Sequence, residues 1–219
     1  MLMFRMLQLL YGTLVAGRSR SLRVLIPLCG ASKDINWLAE QGHCVIGVEF
    51  VELACRQFFI DHEIPFVEKA MNKDCTIFKS RDAAKNVTLF CCDFFSADKS
   101  IIGAVDAVWD RGSLTSIHPN DRGRYVETIC QMLSPSTTYL IETLNYDSSM
   151  FGGETTSQYS MQLIVPVAGP PYSLPLDELT SLFAPYNSTV EQLSKHYGTE
   201  AWHKRLAATK NVFSITFHA

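Results

Sequence analysis

Five apolar runs, separated by segments with helical periodicity, limit the folds open to this chain more than any other feature. The runs occupy residues 22–28, 44–50, 87–92, 104–109 and 138–144. Runs without polar alternation are typical of strands buried on both faces of a parallel sheet. Their regular alternation with helical segments along the chain is typical of doubly wound α/β proteins. We therefore expect an α/β fold with a doubly wound, mostly parallel, Rossmann-like sheet.

The segments between and after these runs predict the remaining elements. A helix over residues 32–41 has Ser32 as its candidate N-cap and Gly42 as its stop. Further helices are predicted at 52–62, 121–133 and 175–184, and a short hairpin strand at 75–79. Val190 and Leu193 indicate one more strand, and residues 212–217 alternate as a last strand. We expect this closing pair to be antiparallel.

The N-terminal segment supports two interpretations. Residues 1–23 contain four arginines and no acidic residue, and Leu7, Leu10, Tyr11 and Leu14 form one stripe of an amphipathic helix. Such a helix can pack on the sheet, but the same composition is typical of a mitochondrial presequence. We predict a packing helix within residues 1–21, followed by a single domain over residues 22–219.

Composition excludes several classes of protein. The chain has 47% hydrophobic residues and 19 Lys+Arg against 22 Asp+Glu, which argues against a disordered chain and a nucleic-acid binder. No apolar run approaches the about 20 residues that cross a bilayer. Seven cysteines without a C-x-x-C motif indicate reduced thiols, and the six histidines lack metal-ligand spacing. We expect a cytoplasmic monomer that binds no nucleic acid, membrane or metal, with mitochondria as the alternative compartment.

Polar residues and a glycine follow four of the predicted strands. The first strand ends at Leu28-Cys29-Gly30, and the second ends at Glu49, nineteen residues after Gly30. An acid at this spacing binds the ribose hydroxyls in nucleoside-binding sheets. The third strand ends at Asp93 beside Phe94, which offers an acceptor for an amine and an aromatic face for a purine.

The fourth strand ends at Asp110-Arg111. Each acid alone can be a helix cap or a solvated loop charge, but acids at three successive strand ends indicate a ligand site. Gly30 is the only glycine of residues 27–34, so neither the G-x-G-x-x-G fingerprint nor a phosphate-binding P-loop is present. No G-x-S-x-G motif indicates a hydrolase. A nucleoside ligand without a diphosphate fits best, and S-adenosylmethionine is the common example.

The chain resembles the thiopurine S-methyltransferase family from about residue 22 to its C-terminus. The motifs that carry the resemblance are Pro27-Leu28-Cys29-Gly30, Gly47-Val48-Glu49, Leu89-Phe90-Cys91-Cys92, Trp109-Asp110-Arg111-Gly112, Pro119-x-Asp121-Arg122 and Gly169-Pro170-Pro171-Tyr172. The resemblance implies a class I methyltransferase fold, S-adenosylmethionine as methyl donor and a small aromatic or heterocyclic thiol as acceptor.

The strand ends and the motif match together define the expected site. The expected donor-binding residues are Leu28, Gly30, Glu49, Asp93, Phe94, Asp110 and Arg111, and the expected acceptor-binding residues are Arg111, Pro170 and Pro171. The resemblance implies that Arg111 is the catalytic residue and orients an anionic thiolate. A salt bridge from Arg111 to Asp110 or Asp121 is the alternative. Since an acidic heteroaromatic thiol ionises near neutral pH, in-line transfer to sulfur does not require a strong base.

Two departures from the family pattern lead to an alternative function. Met1 falls inside the last helix of the family's N-terminal segment, so we expect the part that closes over the donor to be missing, unless the true start lies upstream. Trp202 precedes His203-Lys204 where the family has an arginine. The alternatives are therefore a catalytically weak donor-binding paralogue, or the same fold methylating halide, thiocyanate or a metalloid.

Overall fold

The described part of the chain comprises residues 5–147, 170–197 and 208–218 of a computed structural model. Its helices are α1 (Arg5–Val15), α2 (Lys33–Glu40), α3 (Glu52–Asp61), α4 (Lys99–Ile102), α5 (Ser113–Ser116), α6 (Arg122–Cys130) and α7 (Leu176–Phe183). Its strands are β1 (Arg23–Ile26), β2 (Cys44–Glu49), β3 (Phe66–Asn72), β4 (Cys75–Ser80), β5 (Val87–Cys91), β6 (Ala107–Arg111), β7 (Thr138–Asn145), β8 (Ser188–Tyr197) and β9 (Thr209–Phe217).

All these strands form one sheet in the order β3-β4-β5-β2-β1-β6-β7-β9-β8. The five central strands, β5 to β7 in this order, are parallel, and an antiparallel pair flanks them on each side. The chain runs outward from β1 to β2 and β5, then returns to β6 and β7 on the other side of β1. The carboxyl ends of β1, β2 and β6 therefore lie where strand order reverses, the usual position of a ligand in such sheets.

The structure confirms the doubly wound, mostly parallel sheet and the antiparallel closing pair, and it corrects two details. The strand predicted at 75–79 is present as β4, but its partner strand β3 was not predicted. β3 lies at a sheet edge with mostly exposed side chains and has no continuous apolar run. The prediction that the fourth strand spans 104–109 is wrong at both ends. β6 begins at Ala107 and continues through Asp110 and Arg111, because neighbouring hydroxyl groups satisfy the Asp110 carboxylate inside the core.

The helix boundaries follow local side-chain chemistry. Ser32 caps α2 by accepting a hydrogen bond from the Asp34 N–H, as predicted. Leu7 and Leu14 of the N-terminal stripe are fully buried in the same core cluster as Trp109 and Leu140 of the sheet. The N-terminal helix therefore packs on β6 and β7. The division into residues 1–21 and a domain over 22–219 stays a prediction.

One glycine permits the close packing of β2 under the turn that follows β1. The Cys29 N–H donates to the Val48 carbonyl over 3.0 Å, which holds this turn against β2. A methyl group placed on Gly47 would lie 2.6 Å from Cys29 Sγ and 2.6 Å from a methyl carbon of Leu89. Any larger residue at this position would have to displace the side chains of Cys29 and Leu89.

Candidate active site

A cleft of about 370 Å³ opens at the carboxyl ends of β1, β2 and β5. Its lining residues are Leu28, Val48, Glu49, Phe50, Cys92, Asp93, Phe94, Phe95 and Ile117. Four of the predicted donor-site residues therefore come together here: Leu28, Glu49, Asp93 and Phe94. Gly30, Asp110, Arg111, Pro170 and Pro171 are not among the residues that line the cleft.

Backbone hydrogen bonds hold the Glu49 carboxylate in a defined orientation. The Gly30 N–H donates to Oε2 and the Val51 N–H donates to Oε1, both over 2.8 Å. Each carboxylate oxygen keeps further acceptor capacity, so both can accept hydroxyl protons from a ligand. The pairing of Gly30 with Glu49 also explains the nineteen-residue spacing, because the glycine turn after β1 lies directly beside the end of β2.

The turn that follows β1 has a backbone conformation favourable to close ligand approach. Both Leu28 (φ +42°) and Gly30 (φ +52°) lie in the left-handed region. For a leucine this conformation is costly and occurs where surrounding contacts enforce it, often at functional sites. The Ser113 hydroxyl donates to the Pro27 carbonyl over 2.6 Å, which ties this turn to the end of β6.

Asp93 acts as a helix cap at the cleft. It caps the short 3-10 helix Phe94–Ser96, and its Oδ1 accepts from the Phe95 N–H over 2.9 Å. Among the described residues, its second oxygen makes no hydrogen bond. Asp93 can therefore cap this helix with Oδ1 and bind a ligand with its second oxygen at the same time.

Aromatic side chains form much of the cleft wall. Phe94 is buried and stacks on Tyr125 with ring centroids 4.8 Å apart, and Phe95 lies under the Arg124 guanidinium. Phe50 leaves 75% of its surface exposed beside the cleft. Phe50 was not predicted as a site residue, although its position directly after the strand-end acid Glu49 was an available signal.

Arg111 lies outside the cleft and pairs with an acid that the sequence analysis did not consider. Its Nε is 3.2 Å from Oδ2 of Asp34, and its guanidinium also donates to the Ser32 hydroxyl over 3.3 Å. Asp34 is 2% exposed and accepts a further hydrogen bond from the Trp109 indole. Burial raises the pKa of Asp34, and the charge of Arg111 partly offsets this. The expected alternative partners, Asp110 and Asp121, are not the acids of this ion pair.

Asp110 faces the opposite side of the sheet from Arg111. Its Oδ2 accepts from the hydroxyls of Tyr125 (2.7 Å) and Tyr139 (2.8 Å), and its side chain is fully buried. Burial raises the pKa of Asp110, whereas the tyrosine hydrogen bonds lower it. The structure thus places Asp110 in a core network that joins β6, β7 and α6, rather than at the cleft where the sequence analysis placed it.

The predicted acceptor-side prolines lie next to α5. The Tyr146 hydroxyl donates to the Pro171 carbonyl over 2.8 Å, and the Tyr172 N–H donates to the Thr115 carbonyl over 2.7 Å. These contacts attach the segment from Pro170 onward to Tyr146, just after β7, and to the helix that follows Arg111. Gly169 and residues 202–205 lie outside the described residues.

The cleft contains one thiol, and its environment argues against a nucleophilic role. Burial and the neighbouring Cys75 raise the pKa of Cys92 to about 12, so this thiol stays protonated at neutral pH. In the described part of the chain, no group of three or more His, Cys, Asp or Glu side chains is arranged to hold a metal ion. The helices described here are all too short or too polar to cross a membrane.

Comparison with known proteins identifies relatives and folds. The family model for thiopurine S-methyltransferase matches residues 5–214. The thiopurine S-methyltransferase of Rattus norvegicus is 34% identical over 175 residues, which cover 79% of this chain and 65% of that protein. The enzyme of Bos taurus is 36% identical over 136 residues, covering 61% of this chain and 55% of that protein. The chain therefore spans somewhat less than two thirds of the length of these relatives.

Solved structures share the fold at low sequence identity. A magnesium protoporphyrin IX methyltransferase from Synechocystis superposes with a TM-score of 0.67 at 11% identity, covering 98% of this chain and 83% of that one. A SAM-dependent methyltransferase from Methanosarcina mazei gives a TM-score of 0.66 at 14% identity, with 95% and 99% covered. The chain has the class I methyltransferase fold.

Proposed function

The chain belongs to the thiopurine S-methyltransferase family, and from this premise we propose that it transfers a methyl group from S-adenosylmethionine to the sulfur of a small aromatic or heterocyclic thiol. One observation carries the proposal. The turn after β1 and the end of β2 hold the Glu49 carboxylate by two backbone hydrogen bonds at the edge of a cleft with aromatic walls. This arrangement fits a nucleoside, because a carboxylate accepts from both ribose hydroxyls and an aromatic wall packs on the base.

We infer a place in the cleft for each part of the donor from the chemistry of the lining residues. Glu49 would bind the ribose, and Asp93 would accept from the amine of the adenine. Phe50, Phe94 and Leu28 supply apolar contact area that removes the bound donor from water. Gly30 acts through Glu49 by fixing its orientation, and Asp110 acts from the core by fixing the end of β6.

The donor supplies an activated methyl group on a sulfonium sulfur. The chain's own task is to orient the acceptor sulfur and exclude water, and such orientation can account for roughly 7–11 kcal/mol of a barrier. Arg111 supports this task with a guanidinium that Asp34 and Ser32 hold at the end of β6. A cation held in this way stabilises the acceptor as a thiolate. Pro170 and Pro171 would border the acceptor beside α5.

Calorimetry with S-adenosylhomocysteine tests the donor site. We expect one site per chain, and we expect Glu49→Gln to weaken it by about ten- to hundredfold, because a hydrogen bond to a charged group contributes about 1.5–3 kcal/mol. Glu52→Gln is the matched control. It removes the same charge three residues away, at a side chain that pairs with Arg56 on the surface. Equal affinity of Glu49→Gln and wild type would overturn the donor assignment.

A methyl-transfer assay tests the acceptor class. With benzenethiol, thiocyanate and iodide in competition, we expect the S-methyl product of the aromatic thiol to dominate. Preferred methylation of iodide or thiocyanate would instead support the alternative acceptors. Binding of S-adenosylhomocysteine without turnover of any acceptor would support a donor-binding paralogue.

A further inference from the structure

Glu142 is a carboxylate that neither the motifs nor the donor cleft involve. It lies on β7 directly opposite Arg111 of the parallel strand β6, so both side chains project from the same face of the sheet. Two residues earlier on the same face, Trp109 and Leu140 are buried in the core cluster that includes Leu7 of α1. Arg111 and Glu142 form the next row toward the carboxyl edge, where both are only partly buried.

The charges around Glu142 come from four elements. They are Arg111 on β6, Lys210 on β9, Asp34 on α2 and His196 on β8. Burial raises the pKa of Glu142, and the charges of Lys210 and Arg111 act in the opposite direction. Despite these cations, the Glu142 carboxylate makes no hydrogen bond or ion pair within the described ranges 5–147, 170–197 and 208–218. Within these ranges, no protein group occupies its oxygens, which leaves them open to a ligand beside Arg111.

A guanidinium and a carboxylate on neighbouring strands match one class of acceptor. Adjacent strands lie about 4.8 Å apart, so two such side chains can contact adjacent atoms of one small molecule. A heterocyclic thioamide has a C=S group next to a ring N–H, and it must lose the N–H proton when its sulfur is methylated. The cation suits the sulfur, on which negative charge develops, and the carboxylate suits the N–H.

We propose that Glu142 is a catalytic residue that accepts the ring N–H proton of a heterocyclic thioamide while Arg111 binds its sulfur. This inference rests on the proposed function and extends it by naming the base. A raised pKa suits the role, because a general base works best with a pKa near the operating pH.

The step balances without a further reagent. The N–H bond breaks, its proton moves to a carboxylate oxygen of Glu142, and the electron pair is delocalised over nitrogen and sulfur. A bond forms between this sulfur and the methyl carbon, and the bond from the methyl carbon to the sulfonium sulfur breaks with its electron pair kept by that sulfur. Glu142 then releases the proton to water.

Two acceptors separate the role of Glu142 from the function as a whole. Pyridine-2-thione has the N–H beside its C=S group, whereas benzenethiol has none. We expect Glu142→Gln to lower kcat/KM for pyridine-2-thione by about a hundredfold or more, the usual contribution of a general base, and to keep the value for benzenethiol within about twofold. Glu191→Gln, an exposed carboxylate on β8, is the control and should leave both values unchanged.

A binding measurement gives a second readout that does not need turnover. S-adenosylhomocysteine affinity should be equal in wild type and Glu142→Gln, because Glu142 is not among the residues that line the donor cleft. Equal effects on the two acceptors, or no effect on either, would overturn the role of Glu142 alone. If wild type methylates neither acceptor, the proposed function fails and the role of Glu142 fails with it.

Discussion

At the scale of single residues, Gly47 controls the geometry on which the donor site depends. Its missing side chain lets Cys29 pack against β2, and this packing sets the turn whose Gly30 N–H binds Glu49. A residue with no contact to the ligand thereby determines the orientation of the carboxylate that would bind it.

Gly47→Ala tests this dependence. The added methyl group would meet Cys29 and Leu89 at 2.6 Å, and such overpacking typically costs about 1–3 kcal/mol. We expect urea unfolding to show that loss and calorimetry to show weaker binding of S-adenosylhomocysteine. Gly12→Ala is the control, because nothing lies within 4 Å of a methyl group there and alanine favours a helix by about 0.5–1 kcal/mol. Unchanged stability and affinity of Gly47→Ala would refute the argument.

At the scale of elements, one histidine attaches α1 to the sheet. The His43 Nδ1 accepts from the Leu22 N–H over 3.2 Å, and its Nε2 lies 2.7 Å from the Tyr11 hydroxyl of α1. With Nδ1 as acceptor, the imidazole is neutral and Nε2 carries the proton. Burial lowers the pKa of His43, because a charged ring is disfavoured there.

The lowered pKa of His43 predicts the pH dependence of unfolding. Its stabilising contribution is complete above the ordinary histidine pKa of about 6.5. As the pH falls below this value, the unfolded chain binds a proton before the folded chain does, so stability declines by up to about 1.4 kcal/mol per pH unit. The decline ends when the pH falls below the lowered pKa of the folded state.

Unfolding free energies between pH 5 and 8 measure this effect. We expect His43→Gln to reduce the slope below pH 6.5 and the exposed His218→Gln to leave it as in wild type. Some slope remains in His43→Gln, because burial also lowers the pKa of His62. An identical slope in wild type and His43→Gln would show that folding does not lower the pKa of His43.

At the scale of the whole molecule, both edges of the sheet carry charged residues. Lys69 is exposed on the edge strand β3, and Glu191 and Lys195 are exposed on the edge strand β8. Charged side chains on edge strands oppose pairing of the sheet with another chain. We therefore expect sedimentation at the monomer mass of 24.6 kDa. A concentration-dependent dimer would contradict this prediction.

The sequence by itself determined the central strands, the cap of α2 and four residues of the cleft. These features depend on local physics. Continuous apolar runs must be buried, and a serine N-cap accepts a hydrogen bond from a backbone N–H in the first turn of the helix it precedes. The residues that end parallel strands meet at one edge of the sheet. Leu28, Glu49, Asp93 and Phe94 could be predicted together for this reason.

Only the tertiary structure decided which neighbours the remaining residues have. Asp110 and Arg111 are adjacent in the chain, but side chains in a strand alternate between faces, so one enters the tyrosine network and the other pairs with Asp34. The strand predicted from sequence ends before them, and both residues are predicted there to bind the donor. Glu142 lies beside Arg111 because β7 pairs with β6, and this pairing brings together residues that are 31 positions apart in the chain.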